Sequence, residues 1–335
     1  MSAPADRGTP LAAPITMAAA LNTALHDTMS ADEKIIVMGL DVGKLGGVFR
    51  VTDGLQKDFG EARVVDAPLG ESGILGSAVG LAIRGYRPVL EIQFDGFVYP
   101  AFDQIVCQVA KFHNRSLGTV KMPITVRIPY GGGIGAVEHH SESPEAYFAH
   151  TAGLHVVSCS NPADAYWMLR QSIESDDPVI FFEPKRRYWS KGAVDKTAPE
   201  LPLHKARILR SGTDATIVAY GPMVATALQA AEAAAEDGHS IEVLDLRSLS
   251  PIDTATVLNS ATRTGRVIVV HEASVTGGLG AEVAARVQER AFYSLEAPVL
   301  RVGGFDTPYP ASRVEDDWLP DVDRILDAID RSLAY

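Results

Sequence analysis

Short β-branched runs alternate with longer segments whose apolar residues fall three and four apart, and this alternation runs almost the length of the chain. The first kind of run predicts buried strands and the second amphipathic helices. Thr16 is placed to cap a helix through MAAALNTALHDTM, with Ala18, Leu21 and Leu25 on one face. A strand over residues 34–39 follows, then a short strand in ARVVDAP. A helix of small residues is predicted over 73–82, closed by Arg84 and Gly85, and a strand over 89–94 puts Glu91 and Gln93 on one face. DGFVYPAFDQIVCQVAKFHN reads as one helix with Phe97, Tyr99 and Phe102 near its start. PITVRIPYG is a strand. PEAYFAHTAG is a helix capped by Ser143, with Pro144 at its first position. LHVVSCS is a strand, SNPADAYWMLRQSIES a helix with Pro162 near its start, and PVIFFEP a strand.

The rhythm breaks over residues 185–203, which are polar, charged and proline-bearing. Lys185, Arg186 and Arg187 read there as a solvated cationic surface, with an anion or an acidic partner as the alternative. The alternation then resumes. ATIVAYG, SIEVLDLRSL, RVIVVHE and APVLRVGG are strands. The helices between them start at Pro222 and end at Gly238, end at Gly265, and run through GLGAEVAARVQERAF; a last helix covers 322–333. Strand–helix alternation predicts an α/β fold in which a mostly parallel sheet is covered by helices on both faces. The organisation expected is a loose arm over 1–15, a domain over 16–190, a linker over 191–204 and a smaller α/β domain over 205–335.

The chain has 335 residues, 46% of them hydrophobic, which suits two ordinary domains with buried cores. No apolar run has membrane-spanning length, and the first fifteen residues lack the basic start and apolar core of a secretory signal. A net charge of −12 argues against a nucleic-acid partner, which needs a basic face. Cys107 and Cys159 match no metal spacing and read as buried thiols. So few cysteines fit a reducing compartment, and a cytoplasmic location is expected.

Candidate chemistry lies in three places. DVGKLGGVFRVTDG carries Gly43, Gly46 and Gly47 but lacks the spacing of a nucleotide-binding turn. GGGIGAVEHHSESPEA is a second glycine-rich loop and carries His139 and His140, with Glu138 and Glu142 making it acidic. DAPLGESGI puts one acid, Glu71, at a strand-to-helix junction, where by itself it reads as a cap or a dipole partner.

DAPLGESGI with EIQFDGFVYPAFDQI, HHSESPEAYFAHTAGLHVV, FFEPKRRYW, LDLRSLSPID, VHEASVTGGLG and RVGGFDTPYP, in this order over residues from about 35 to 335, carry a family resemblance. The chain resembles the β subunit of the thiamine diphosphate-dependent decarboxylase component of 2-oxo acid dehydrogenase complexes. GGVFRVTDGL, SPEAYFAHTAGL and GFDTPYP resemble the branched-chain type; the pyruvate type is the alternative. A non-catalytic assembly subunit is the reading from another class. The resemblance implies a thiamine diphosphate-binding fold pyrimidine domain followed by a transketolase-like C-terminal domain. It also implies an α₂β₂ heterotetramer in which an α subunit holds the diphosphate and Mg²⁺ through a GDG motif that this chain lacks. The implied reaction is oxidative decarboxylation of a 2-oxo acid, with acyl transfer to a lipoyl-bearing acyltransferase core.

Thiamine is a carbon nucleophile once a proton of low acidity is removed, and a carboxyl sharing a proton with the aminopyrimidine promotes that removal. By resemblance Glu71 is this carboxyl, Phe97 is the aromatic surface for the pyrimidine, and Leu69 and Gln93 flank the pocket. His140 is the imidazole that exchanges a proton during lipoyl transfer, and His139 is a loop histidine with a structural hydrogen bond. Many relatives have an acid where this chain has Leu40, which removes one polar contact near the pyrimidine. Relatives can also hold a monovalent cation, K⁺, in a region that corresponds here to Ile124, Thr125, Ser172, Ser175 and Asp177.

Overall fold

The computed structural model describes residues 13–197 and 201–335. Most of the predicted arm, residues 1–12, and residues 198–200 of the predicted linker lie outside the described residues. Ile15 does not belong to a loose arm: strand β1 (Ile15–Thr16) pairs antiparallel with a strand (Lys191–Gly192) from the start of the linker. The next strands are β2 (Ile35–Gly39), β3 (Val64–Asp66), β4 (Arg87–Glu91), β5 (Thr125–Tyr130), β6 (His155–Ser158) and β7 (Val179–Pro184). After β8, the linker strand, come β9 (Arg207–Arg210), β10 (Ala215–Ala219), β11 (Ile241–Asp245), β12 (Ser248–Ser250), β13 (Val267–Ser274) and β14 (Leu300–Gly304). Two larger sheets result, in the orders β12-β6-β7-β5-β4-β2-β3 and β14-β13-β10-β11-β9. Only the edge strands β12 and β9 run antiparallel in these sheets.

The central parallel strands are the most buried, β5 and β7 at every residue, and their sequences are accordingly mostly apolar without alternation. Apolar clusters fill the space on the sheet faces. One joins the helix Met17–Ala31 to Pro162–Glu174, and another packs Met223–Glu236 and Val322–Leu333 on the second sheet. Thr16 caps the first helix, its hydroxyl accepting from the Ala19 amide, and Gly265 at φ +67° ends Thr254–Thr264.

Three predicted elements differ. The strand read over 89–94 ends at Glu91, so Gln93 lies beyond it. LDLRSL is two strands, because Arg247 takes φ +56° and turns β12 out of the second sheet onto the first. Arg247 is buried and ion-paired to Asp164 at 3.1 Å, and it donates to the carbonyls of Pro202 and Lys205. One residue thus ties the linker and the second half to the first. The segment read as a single helix is broken into a 3₁₀ turn (Asp95–Ala101), a π turn (Gln104–Val109) and a short α turn (Phe112–Arg115). Pro100 lacks an amide proton and sits inside the first piece, which a regular α-helix does not tolerate. Cys107 in the π turn is exposed, against the expectation of a buried thiol, whereas Cys159 is buried.

The basic turn that was read as a solvated surface is folded inward. Lys185 is buried and paired with Asp95, and Arg186 pairs with Glu272 of the C-terminal half at 2.7 Å. Asp95 and Glu272 are therefore the acidic partners of this cluster, and they belong to the same chain.

A buried ionic network joins the three central strands. Arg127 on β5 donates to Glu91 on β4 at 2.7 Å and to both oxygens of Glu183 on β7 at 2.7 and 2.9 Å. Tyr188 donates to Glu183 at 2.6 Å. Burial pushes the Glu91 carboxyl up from its ordinary pKa, against the pull of Arg127. Deleting one member of such a cluster leaves uncompensated buried charge. Arg127→Met is expected to lower the unfolding free energy by about 3–5 kcal/mol in urea titration; a loss under about 1 kcal/mol would show that the network contributes little.

Candidate functional site

The carboxyl ends of β2, β3, β4, β5 and β7 lie at one edge of the first sheet, the edge where open parallel sheets place their ligands. The segments leaving them touch one another. Asp66, at the end of β3, accepts from the amides of Gly43 and Lys44 at 2.6 and 3.4 Å, so the first glycine-rich loop turns its amides to an internal carboxylate. Gln93 donates to Asp41 at 3.1 Å and weakly to the Leu40 carbonyl at 3.5 Å. The Asp41 carboxylate thus supplies a polar contact next to Leu40.

Glu71 is the first residue of the helix Glu71–Ile83, whose cap, Gly70, offers no side chain. The helix dipole favours a negative charge there. The residue as a whole is only 7% exposed, yet its carboxylate makes no hydrogen bond or ion pair with any described residue, and its oxygens, unlike His140 Nδ1, keep access to solvent. A residue held in the fold whose carboxylate still reaches solvent and finds no partner in the chain is placed to take one from outside it. Leu69, next to it, is 75% exposed, which is unusual for a large apolar side chain in an ordered turn.

Phe97 is half-buried against the core that includes Ile74 and Leu75. Its ring stands edge-on to Phe94 at 6.0 Å, to His139 at 5.2 Å and to His140 at 5.3 Å. Phe94 stacks flat on His140, centroids 4.0 Å apart and planes 12° from parallel. Phe94 was hidden inside the predicted strand; the two phenylalanines flanking Asp95 in FDGF were the available signal. Gly96 permits this arrangement, since a Cβ there would lie 2.3 Å from the His139 carbonyl oxygen. His140 is half-buried and its Nδ1 is buried without a partner, while His139 is exposed. The predicted set Glu71, Phe97, Gln93 and His140 thus lies on segments leaving one sheet edge, with Phe97 and His140 in contact.

Behind the aromatics, Asp95 binds Lys185 and accepts from the Glu142 amide at 2.9 Å. Burial raises the Asp95 carboxyl to about 6 and lowers the Lys185 ammonium. Ser143 does not cap the helix that follows, Glu145–Ala149, whose cap is Pro144; its hydroxyl turns to Glu272 at 3.4 Å instead.

The oxygens considered for a cation are engaged within the chain. The Ile124 carbonyl accepts from Val179, Ser172 Oγ donates to Met168, and Ser175 Oγ donates to the Asp177 carbonyl. Thr125 is buried on β5. Arg87 donates to the carbonyls of Ile173, Glu174 and Ser175, the end of the neighbouring helix. Among the described residues no group of three or more His, Cys, Asp and Glu could hold a metal ion.

A carboxyl without a donor among the described residues, an aromatic ring held beside a half-buried imidazole and an exposed leucine fit the pyrimidine end of thiamine diphosphate. Nothing comparable in the chain offers the GDG motif for its phosphates.

The family described as transketolase, pyrimidine binding domain, matches residues 13–190, and transketolase, C-terminal domain, matches residues 204–325. A pyruvate dehydrogenase E1 component subunit beta of Leifsonia xyli subsp. xyli is 63% identical over 96% of this chain and 95% of its own length. A 3-methyl-2-oxobutanoate dehydrogenase subunit beta of Mycobacterium tuberculosis is 57% identical over 95% of this chain and 92% of its own. A solved structure titled split gene transketolase, inactive beta4 tetramer, superposes with a TM-score of 0.78 at 25% identity, covering 96% of this chain and 99% of its own.

The contact at Gly96 is testable directly. Gly96→Ala is expected to displace the turn at 138–140 and to cost about 1–3 kcal/mol of stability by overpacking. The His140 ring-proton shifts, set by the Phe94 ring current, should move in NMR spectra; unchanged shifts would mean that the turn does not depend on this close approach.

Proposed function

The chain belongs to the transketolase-like E1 β subunits of 2-oxo acid dehydrogenases, and from that premise we propose that, with an α subunit, it carries out oxidative decarboxylation of a branched 2-oxo acid. The acyl group then passes to a lipoyl group on an acyltransferase core. The carboxyl of Glu71, which no described residue engages, carries this reading, because it is a half-site that lacks its donor.

Bound thiamine diphosphate supplies the carbon nucleophile that takes up the oxo acid and releases carbon dioxide. In this reading Glu71 shares a proton with N1′ of the pyrimidine. Phe97 offers the ring an apolar face, and Leu69 and Gln93 border it. His140, pressed against Phe94, holds its imidazole at a fixed angle. From there it gives a proton to the lipoyl sulfur and takes one back. The diphosphate and its Mg²⁺ fall to the α subunit in an α₂β₂ heterotetramer, since this chain has no GDG. The related structure of beta chains alone is named as inactive, which supports the need for a second kind of chain.

The branched-chain reading draws on GGVFRVTDGL, SPEAYFAHTAGL and GFDTPYP and on the Mycobacterium relative. The greater identity to the Leifsonia subunit favours pyruvate as the second reading. Comparing kcat/KM for 3-methyl-2-oxobutanoate and pyruvate in the reconstituted complex decides between them, and a preference for pyruvate would overturn the first.

Glu71→Gln is expected to lower decarboxylation in that complex by roughly 10²–10⁴-fold, the range for removing a positioned acid, with the complex still assembled by gel filtration. Activity near wild type would sink the assigned role. His140→Ala should impair lipoyl acylation more than thiamine diphosphate affinity, and equal lipoyl acylation would remove His140 from the mechanism.

A further inference from the structure

The loop that delivers His140 begins with GGGIG, residues 131–135, and its amides face carboxylates of the C-terminal domain. Gly132 donates to Glu272 Oε1. Gly133 donates to Glu315 Oε1 at 2.8 Å and Gly135 to Glu315 Oε2 at 2.9 Å. Tyr309 donates to Glu315 and sits so close that a Cβ on Gly132 would lie 1.8 Å from its hydroxyl. Gly131, Gly133 and Gly135 have φ of +81°, +82° and +71°, so consecutive amides turn toward one side as an anion-binding concavity.

The two carboxylates differ in their compensation. Glu272 is also paired with Arg186 at 2.7 Å. Glu315, 6% exposed, has no cationic partner among the described residues; both its oxygens are met by loop amides and the Tyr309 hydroxyl. Its charge is held by the loop, and the loop is held by its charge. The far end of the loop is fixed as well. Glu142 accepts from the Gly131 amide at 2.9 Å, and Glu145 accepts from Tyr220 of the C-terminal domain at 2.7 Å. Between these anchors lies the turn with His139 and His140.

We propose that Glu315 and Glu272 are positioning residues: the C-terminal domain grips the glycine loop through them and thereby sets where His140 stands. The proposal rests on the role given to His140 above. It assigns to the C-terminal domain a part in the site although none of the cofactor-facing residues lies there.

The test uses the reconstituted α–β complex with Glu315→Gln and Tyr309→Phe. The glutamine keeps the size of the side chain but gives up one acceptor and the charge. The phenylalanine removes one hydroxyl and remains informative where the first variant folds poorly. Hydrogen–deuterium exchange of peptides covering 131–142 reads the grip without reference to activity. In Glu315→Gln these amides are expected to exchange roughly ten- to a hundredfold faster, the loss of charge-assisted hydrogen bonds, and in Tyr309→Phe by a smaller factor. The kcat for lipoyl acylation should fall by roughly tenfold, while KM for the oxo acid and thiamine diphosphate affinity stay within about twofold, as for an interaction that acts after binding. Unchanged exchange in both variants overturns the proposal. A loosened loop with kcat intact overturns it too, and His140→Ala then shows which premise failed: if that variant also keeps its kcat, the role of His140 itself is withdrawn.

Discussion

Arg127 is the charge on which the site rests. It sits on the middle one of three adjacent strands and holds a carboxylate from each neighbour, Glu91 on β4 and Glu183 on β7. Those three strands are the ones whose following loops carry Gln93, Phe94 and Phe97, the glycine loop with His140, and the basic turn at 185–187. A guanidinium suits the place because its planar fork matches one carboxylate with two parallel bonds and leaves a donor for a second. The cost of burying these charges is only justified by geometry: they fix how far the three strand ends stand from one another, and the residues beyond them inherit that spacing.

From this base the charge pattern spreads outward in pairs. Lys185, just past β7, reaches Asp95, just past β4, and Asp95 in turn holds the amide of Glu142. Arg186 reaches Glu272 in the second domain. Arg247 performs the complementary task at the opposite edge, where it turns β12 onto the first sheet and clasps Asp164 and the linker carbonyls. The two domains are therefore joined by buried polar contacts as well as apolar packing, which fixes their relative placement more narrowly than packing alone. Contacts of this kind fail together when one partner is lost, because each leaves an unpaired group in low dielectric.

How much of this the sequence discloses depends on whether the deciding interaction is local. The helix begun at Thr16, the stop at Gly265 and the buried runs of β5 and β7 follow from propensities and periods within a few residues. Glu71 could be located, since an acid after Leu69-Gly70 opens a helix, and the family resemblance supplied its role. The errors come from partners far away in the chain. Ser143 has the chemistry of a cap but finds Glu272, 129 residues on. Lys185 to Arg187 look like a solvated cluster because Asp95 and Glu272 are 90 and 86 positions distant. Glu315 and Tyr309 carried no signal as site residues at all; their importance lies in amides of a loop nearly two hundred residues earlier. The broken helix at 95–115 was the exception, as Pro100 was a local warning that the aromatic pattern obscured.

The unpartnered groups have a thermodynamic consequence. The Glu71 carboxyl stands at a helix start with no partner among the described residues, and His140 Nδ1 is buried with none. The buried nitrogen raises the free energy of the chain relative to a state in which it is satisfied. In the proposed binding mode, a cofactor that donates to Glu71 gives this carboxyl the partner that the chain does not supply. The phosphate end of the same molecule belongs, in the proposed assembly, to another subunit. Cofactor binding and subunit association are then linked, since a ligand held by both chains stabilises only their complex. Under that proposal the unpartnered carboxyl of Glu71 favours the assembled, cofactor-bound form, and the strand ends whose spacing Arg127 fixes set the frame in which it waits.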